Sequence, residues 1–221
     1  MELSKWYQEK QLVLEMSHLM VKRGLVIGTA GNISLRLKAD NEHGLLAITP
    51  SSRHYDSLNI DDIQVIDFDS NHIEGDLIPS IETLLHISIY QARKGVNAVI
   101  HTHSVFASVI SVIGSEIPSI IEDQVMLIGG EIRIAKYAPP QSPRQIANVL
   151  TALEDRFGVL LSHHGAIAVG RTIQEAFDNC EIIEKTAKIY YLALSLGEVK
   201  LLSAEALQDC LVAFRRKLNQ G

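Results

Sequence analysis

Apolar positions along the chain switch repeatedly between two periods. From about Trp6 to Arg23 they recur at helical spacing, at Leu12, Met16, Leu19 and Met20, and Gly24 follows as a natural C-cap. Leu45–Thr49, Val65–Asp67, Val96–Ile100, Ile132–Tyr137 and Val159–Leu161 are short apolar runs of strand length. Asn71 to Gly75 reads as a turn, and Pro139-Pro140 breaks the strand before it. Helical patterns fill the intervals. One is predicted from Pro79 to about Lys94, with Ser80 as N-cap and Thr83 in the first turn. Others run over Val105–Ile113, Ser142–Ala152, Thr172 to about Gly197, and Ser203 to about Lys217. The longest, opened by Thr172, carries Ile182, Ile183, Ile189 and Leu192. No repeat, linker or low-complexity tract interrupts the chain, so one domain is predicted over residues 1–221.

Polar residues at the ends of these runs are the candidates for chemistry. His101 and His103 close the run Val96–Ile100. Residues two apart cannot share a helix face, but on an extended strand they point the same way, as two ligands of one cation must. The run Val159–Leu161 ends in Ser162-His163-His164-Gly165. Neighbours on a strand point to opposite faces, so one of His163 and His164 can join the first pair. Glu82 lies on the helix preceding His101 and shares a face with His86. An acid is also favoured near a helix N-terminus for electrostatic reasons alone. Three imidazoles with an open position are the pattern of a catalytic zinc site, Glu82 being the fourth ligand or the group that exchanges a proton. His18, His43, His54 and His72 read as ordinary surface or loop residues.

Gly28-Thr29-Ala30-Gly31-Asn32-Ile33-Ser34 combines glycines, which let a backbone turn tightly, with short polar side chains and free N–H groups suited to an anion. It reads equally as a turn feeding a strand. Thr49-Pro50-Ser51-Ser52 is a second short-hydroxyl loop.

Composition narrows the partners. Of 221 residues, 47% are hydrophobic and 21% charged, enough for a sizeable core. Twenty Lys and Arg against 26 Asp and Glu leave a net charge of −6 with no basic block, which argues against nucleic acid and anionic membranes. No signal peptide or membrane-spanning run is found, and Cys180 and Cys210 read as buried small hydrophobes of a reducing cytoplasm.

These stretches in this order resemble the class II aldolase/adducin family. The resemblance is carried by Gly28 to Ser34, Thr49-Pro50-Ser51-Ser52, Pro79-Ser80-Ile81-Glu82, His101-Thr102-His103, Ile117-Pro118, Gly129-Gly130, Tyr137-Ala138-Pro139 and His163-His164-Gly165. It implies an α/β fold, a three-layer α/β/α sandwich around a central, largely antiparallel sheet. It also implies a homotetramer with active sites between subunits, and zinc on His101, His103 and His164. By the same resemblance Glu82 is the acid/base residue that also holds the resting metal, and Thr29, Asn32, Ser51, Ser52 and Ser80 bind the substrate phosphate. The implied reaction is retro-aldol cleavage of a ketose 1-phosphate, of the fuculose 1-phosphate kind, to dihydroxyacetone phosphate and an aldehyde. No lysine sits in an obviously apolar segment, as a Schiff-base mechanism would want.

The chain also departs from the family pattern. Ser51-Ser52 stands where Thr-Gly or Ser-Gly is common, and Ile81 where a second serine is. Tyrosines of the fuculose-type members are missing from Ile121-Glu122-Asp123-Gln124 and from Phe214-Arg215-Arg216-Lys217. The same family holds methylthioribulose-1-phosphate dehydratases, which share the wording of Pro79–His86 and take their acid/base from a downstream Glu, near Glu122 or Asp123 here. It also holds adducin-like interaction modules that have lost the metal histidines.

Overall fold

The computed structural model describes residues 4–38 and 44–219 of the chain; His43 lies outside them. In chain order the elements are α1 (Tyr7–Lys22), β1 (Asn32–Leu37), β2 (Leu45–Ile48), β3 (Gln64–Asp67), β4 (His72–Glu74), α2 (Thr83–Ala92), β5 (Ala98–Thr102), α3 (Val105–Ile113), α4 (Glu122–Ile128), β6 (Arg133–Ala135), α5 (Pro143–Leu153), β7 (Gly158–Leu161), β8 (Gly165–Gly170), α6 (Ile173–Leu196) and α7 (Ala204–Asn219). The strands form one sheet in the order β4-β3-β2-β1-β5-β8-β7-β6. Every pair is antiparallel except β6–β7, whose parallel pairing uses α5 as the crossover that such a connection requires.

Side-chain alternation on the strands builds two cores. Ile33, Leu35, Ala98, Ile100, Ala166 and Ala168 face one way, against Val13 and Met20 of α1, Ile110 of α3 and Phe177 and Ile183 of α6. Leu46, Ile48, Val99, Leu161 and Ile167 face the other way, against Leu85 and Ile89 of α2 and Val149 and Leu153 of α5. The molecule is therefore a three-layer α/β/α fold around a largely antiparallel sheet. On the α2/α5 side, the alternate positions of the two central strands are polar: Asn32, Ser34 and Arg36 on β1, and His101 on β5. A sheet face this polar is a place for chemistry rather than packing.

Several elements differ from their sequence reading, each for a physical reason. The stretch after Ser70, which takes φ +68°, is strand β4 rather than a turn alone. Helix α2 opens at Thr83, not Pro79; residues 78–80 instead pair with the loop after β2, through Ser51 N–H to Ile78 O at 2.8 Å and Ser80 N–H to Thr49 O at 3.1 Å. Ser80 still serves the helix start, because its Oγ accepts the Glu82 N–H at 3.3 Å and its carbonyl accepts the Thr83 hydroxyl at 2.5 Å. Helix α4 is too short to show a period, and it stops at Gly129, held at φ +99°. Strand β8 is an Ala/Ile/Val run between two glycines, easily passed over beside the longer pattern of α6. In α1 the buried stripe is Lys10, Val13, Ser17 and Met20, while Leu12 is exposed. Lys10 can point inward because Glu74 on β4 meets its Nζ at 2.7 Å.

Candidate active site

Register brings the histidines together. Asn32 pairs with His101 across β1–β5, and His101 pairs with Ile167 across β5–β8. His103 follows two residues on, just past the end of β5, and the β7–β8 turn brings His164 back beside it. His163 and His164 both lie in that turn, so the strand rule that would oppose them does not operate. His163 is separated instead by its left-handed backbone, φ +57°; it is exposed, with its ring against Tyr137. Gly165 is required where the turn closes on β5, since a Cβ there would stand 2.2 Å from the Thr102 carbonyl.

The Nε2 atom of His101 lies 2.8 Å from Nε2 of His103 and 3.3 Å from Nε2 of His164. Oε2 of Glu82 is also 3.3 Å from His101 Nε2. His101 donates its Nδ1–H to the Ala166 carbonyl at 3.0 Å, which turns its Nε2 towards the other two rings. Lone pairs converging at these distances repel unless a cation or proton sits among them. Ligands at about 2.1 Å in a tetrahedral array stand about 3.4 Å apart, close to two of the three separations. The carboxylate offers more: Glu82 Oε1 is buried with no hydrogen-bond partner among the described residues. The donor set and its orphaned oxygen fit a divalent metal, and His101, His103 and His164 are the group that could hold one.

The environment keeps these groups in ligand form. Burial lowers the His103 pKa to about 4, with the neighbouring His101 and His164 acting in the same direction. Burial, then His101, lowers His164 too. Burial alone would raise Glu82, but the facing His101, the Asn32 amide at 2.6 Å and His164 outweigh it, so Glu82 is the stronger acid and stays ionised.

Behind Glu82 lies a buried polar chain that sequence reading missed. Ser34 Oγ is 2.7 Å from His86 Nδ1 and 2.7 Å from the Tyr90 hydroxyl. Burial pushes the His86 pKa down to about 3 against the opposing pull of Glu82, so the ring is neutral. The i, i+4 spacing of Glu82 and His86 was the available signal; what it lacked was Ser34, 52 residues away from His86.

Facing the histidines is a cavity of about 310 Å³ lined by Thr29, Gly31, Asn32, Ser51, Ser52 and Ser80, with Glu82, His103 and His164 at its other wall. Every sequence-predicted site residue lines it except His101, which is buried at 1% exposure against Glu82. No Lys or Arg lines it among the described residues. Gly31 is needed at the seam of the two walls: it has φ +77°, and a Cβ would meet the His101 carbonyl at 2.5 Å. The Tyr55 hydroxyl fastens the same loop by donating to the Gly31 carbonyl at 2.6 Å. Glu122 and Asp123 do not line the cavity. They open α4, which packs on α6 and α7, and Asp123 pairs with Lys185.

A polar cavity with three converging imidazoles, a carboxylate and a hydroxyl-rich wall on an α/β/α scaffold has the form of an enzyme site that could hold a divalent metal. The sequence profile of the Class II Aldolase and Adducin N-terminal domain matches residues 11–191. The 5-deoxy-D-ribulose 1-phosphate aldolase of Bacillus thuringiensis serovar kurstaki is 34% identical over 202 residues, 91% of this chain and 93% of that protein. The 5-methylthioribulose-1-phosphate/5-deoxyribulose-1-phosphate aldolase of Rhodospirillum rubrum is 34% identical over 203 residues, 92% of this chain and 89% of that one. A solved L-fuculose 1-phosphate aldolase superposes with a TM-score of 0.88 at 32% identity, covering 94% of this chain and 96% of the other. The chain thus belongs to the class II aldolase and adducin family, on its enzyme side, as an aldolase-class lyase. No helix among the described residues is long and apolar enough to cross a membrane.

Proposed function

We propose that the protein is a zinc-dependent aldolase that cleaves a ketose 1-phosphate to dihydroxyacetone phosphate and an aldehyde. The observation that carries this reading is the placement of Glu82. Its carboxylate stands between the imidazole cluster and a hydroxyl-lined cavity of sugar-phosphate size. Thr29, Asn32, Ser51, Ser52 and Ser80 hold the phosphate, with hydroxyl, amide and backbone donors replacing the absent cations. His101, His103 and His164 hold the zinc. When bound, the metal supplies Lewis-acid stabilisation of charge developing on the ketose oxygens. The bond between C3 and C4 breaks, the C4 hydroxyl passes its proton to the Glu82 carboxylate as it becomes the aldehyde, and the electron pair stays with C3 as the enediolate of dihydroxyacetone phosphate. Glu82 returns a proton to C3, a role worth ~10²–10⁴ in rate.

The relatives act by name on 5-deoxyribulose, methylthioribulose and fuculose 1-phosphates. These share a deoxygenated or thioether-capped end, and we take that class as the substrate. The dehydratase reading is disfavoured because Glu122 and Asp123 lie away from the cavity within the chain. Exposed Ile27, Ile78 and Ile81 flank the substrate loops and favour a cyclic tetramer in which a second copy covers the cavity mouth. Unpaired, buried Cys180 and Cys210 suit the cytoplasm. A panel of ketose 1-phosphates, coupled to dihydroxyacetone phosphate detection, tests the reaction. Release of dihydroxyacetone phosphate supports it; loss of water from the intact carbon skeleton overturns it.

A further inference from the structure

Several buried polar atoms around the cluster lack partners among the described residues, Asn32 Oδ1 and Ser104 Oγ among them, and two of these share a helix: Glu82 Oε1 and His86 Nε2. They belong to residues four apart at the start of α2, where the His86 N–H also donates to the Glu82 carbonyl at 3.2 Å. The two side chains therefore share a face, and both are shut off from solvent, His86 at 0% and Glu82 at 8% exposure. Their hydrogen-bonding characters are complementary. The Tyr90 hydroxyl meets Ser34 Oγ and the Val99 backbone, whose effect on it is that of an N–H donor, and we assign the Tyr90 proton to Ser34 Oγ. The Ser34 hydroxyl is left to donate to His86 Nδ1. His86 must then carry its ring proton on Nε2. A buried N–H donor without an acceptor and a buried carboxylate oxygen without a donor thus lie one helical turn apart, each within electrostatic reach of the other, and folded proteins rarely leave such groups unresolved.

We propose that His86 is a positioning residue for Glu82: its Nε2–H takes Glu82 Oε1 when the carboxylate turns from the histidine cluster, so His86 competes with the metal for Glu82. Glu82 then has two anchorages, one on the cluster and one on His86, and the Ser34–Tyr90 chain holds the second in readiness. This inference rests on the proposed function, in which Glu82 handles a proton beside the metal, and adds that the same carboxylate touches the resting metal.

The test is zinc affinity of the metal-free protein, read by chelator competition, alongside steady-state kinetics. His86→Leu preserves bulk and removes the competitor. Zinc should bind about tenfold more tightly while kcat falls about tenfold, with KM little changed. A merely structural role would loosen the metal, not tighten it. His86→Gln, whose amide N–H reaches to the place of Nε2, should restore most of both values. In a Glu82→Gln background the same His86→Leu change should leave zinc affinity unmoved, because the partner is gone. Unchanged or weaker zinc binding in His86→Leu, or an equal shift in the Glu82→Gln background, overturns the proposal. If His86→Leu fails to fold by circular dichroism, Ser34→Ala, which unpins the ring but leaves α2 intact, carries the test. It should shift affinity and kcat in the same directions by less, and no shift overturns the proposal. Near-wild-type kcat in Glu82→Gln instead overturns the proposed function itself.

Discussion

The two walls of the cavity are built in different ways. The imidazole wall is held from behind, by strand β5 and the tight turn that closes on it: His101 is 1% exposed, its Nδ1 is held by the Ala166 carbonyl, Glu82 is held by Asn32, and His103 and His164 are half-buried. The hydroxyl wall is mounted on turns. Thr29 and Ser52 are exposed, Ser52 sits at φ +58°, and the Ser51 and Ser52 hydroxyls lie 3.3 Å apart. One wall is organised before any ligand arrives and the other is finished by the ligand. Chemistry that tolerates little misplacement belongs to the first wall, and binding of a freely rotating phosphate suits the second.

Changes in the two walls should therefore fail differently. The largest effect is expected from His101→Ala/His103→Ala, which removes two of three imidazoles. Metal content should drop to background and turnover should vanish, with the fold retained by circular dichroism. His163→Ala, on the same turn as His164 but facing Tyr137, should keep its metal. Full metal occupancy in the double mutant would erase the distinction between the walls.

Next in size is Glu82→Gln, which keeps shape but cannot act as a base. It should retain metal through the histidines and lose ~10²–10⁴ in kcat. Glu122→Gln, placed on α4 away from the cavity, should stay near wild type; the reverse result would move the acid/base to that side.

A smaller effect is expected on the hydroxyl wall. Ser51→Ala removes one donor to a charged phosphate, a loss of about 1.5–3 kcal/mol if the bond is direct. KM should rise about 10- to 150-fold, with kcat nearly unchanged. A fall in kcat with no change in KM would mean that this wall also positions the reacting carbon.

The mildest test uses pH and metal-free protein. His103 is held near pKa 4 by burial and its neighbours, against 6.5 for the free side chain. Between those values the unfolded chain binds a proton that the folded chain refuses, so stability should fall as pH drops from about 6.5 towards 4 and be flat above that window from this source. Thermal unfolding of chelator-treated protein from pH 7.5 to 4.5 reads the slope, and His103→Gln should flatten it. A slope of the same steepness in that variant would place its origin elsewhere.

Much of this molecule is local and therefore legible from sequence. Period separates the helices α3, α5 and α6 from the strands β2, β3 and β7, and the patterns read as starting at Ser142 and Thr172 do start there, each residue capping its helix by accepting an N–H three residues on at 3.1 Å. The two-residue spacing of His101 and His103 put both rings on one side, because strand geometry allows nothing else. Family resemblance supplied the sheet and its antiparallel order, which periodicity alone does not determine. What only tertiary structure decided was the meeting of distant residues: Asn32 with Glu82, Ser34 with His86, and Lys10 with Glu74. It also decided which of two adjacent histidines faces the cluster. That choice depends on one left-handed residue, His163, in the β7–β8 turn, beside the close approach of Gly165 to Thr102, a conformation that sequence spacing does not announce.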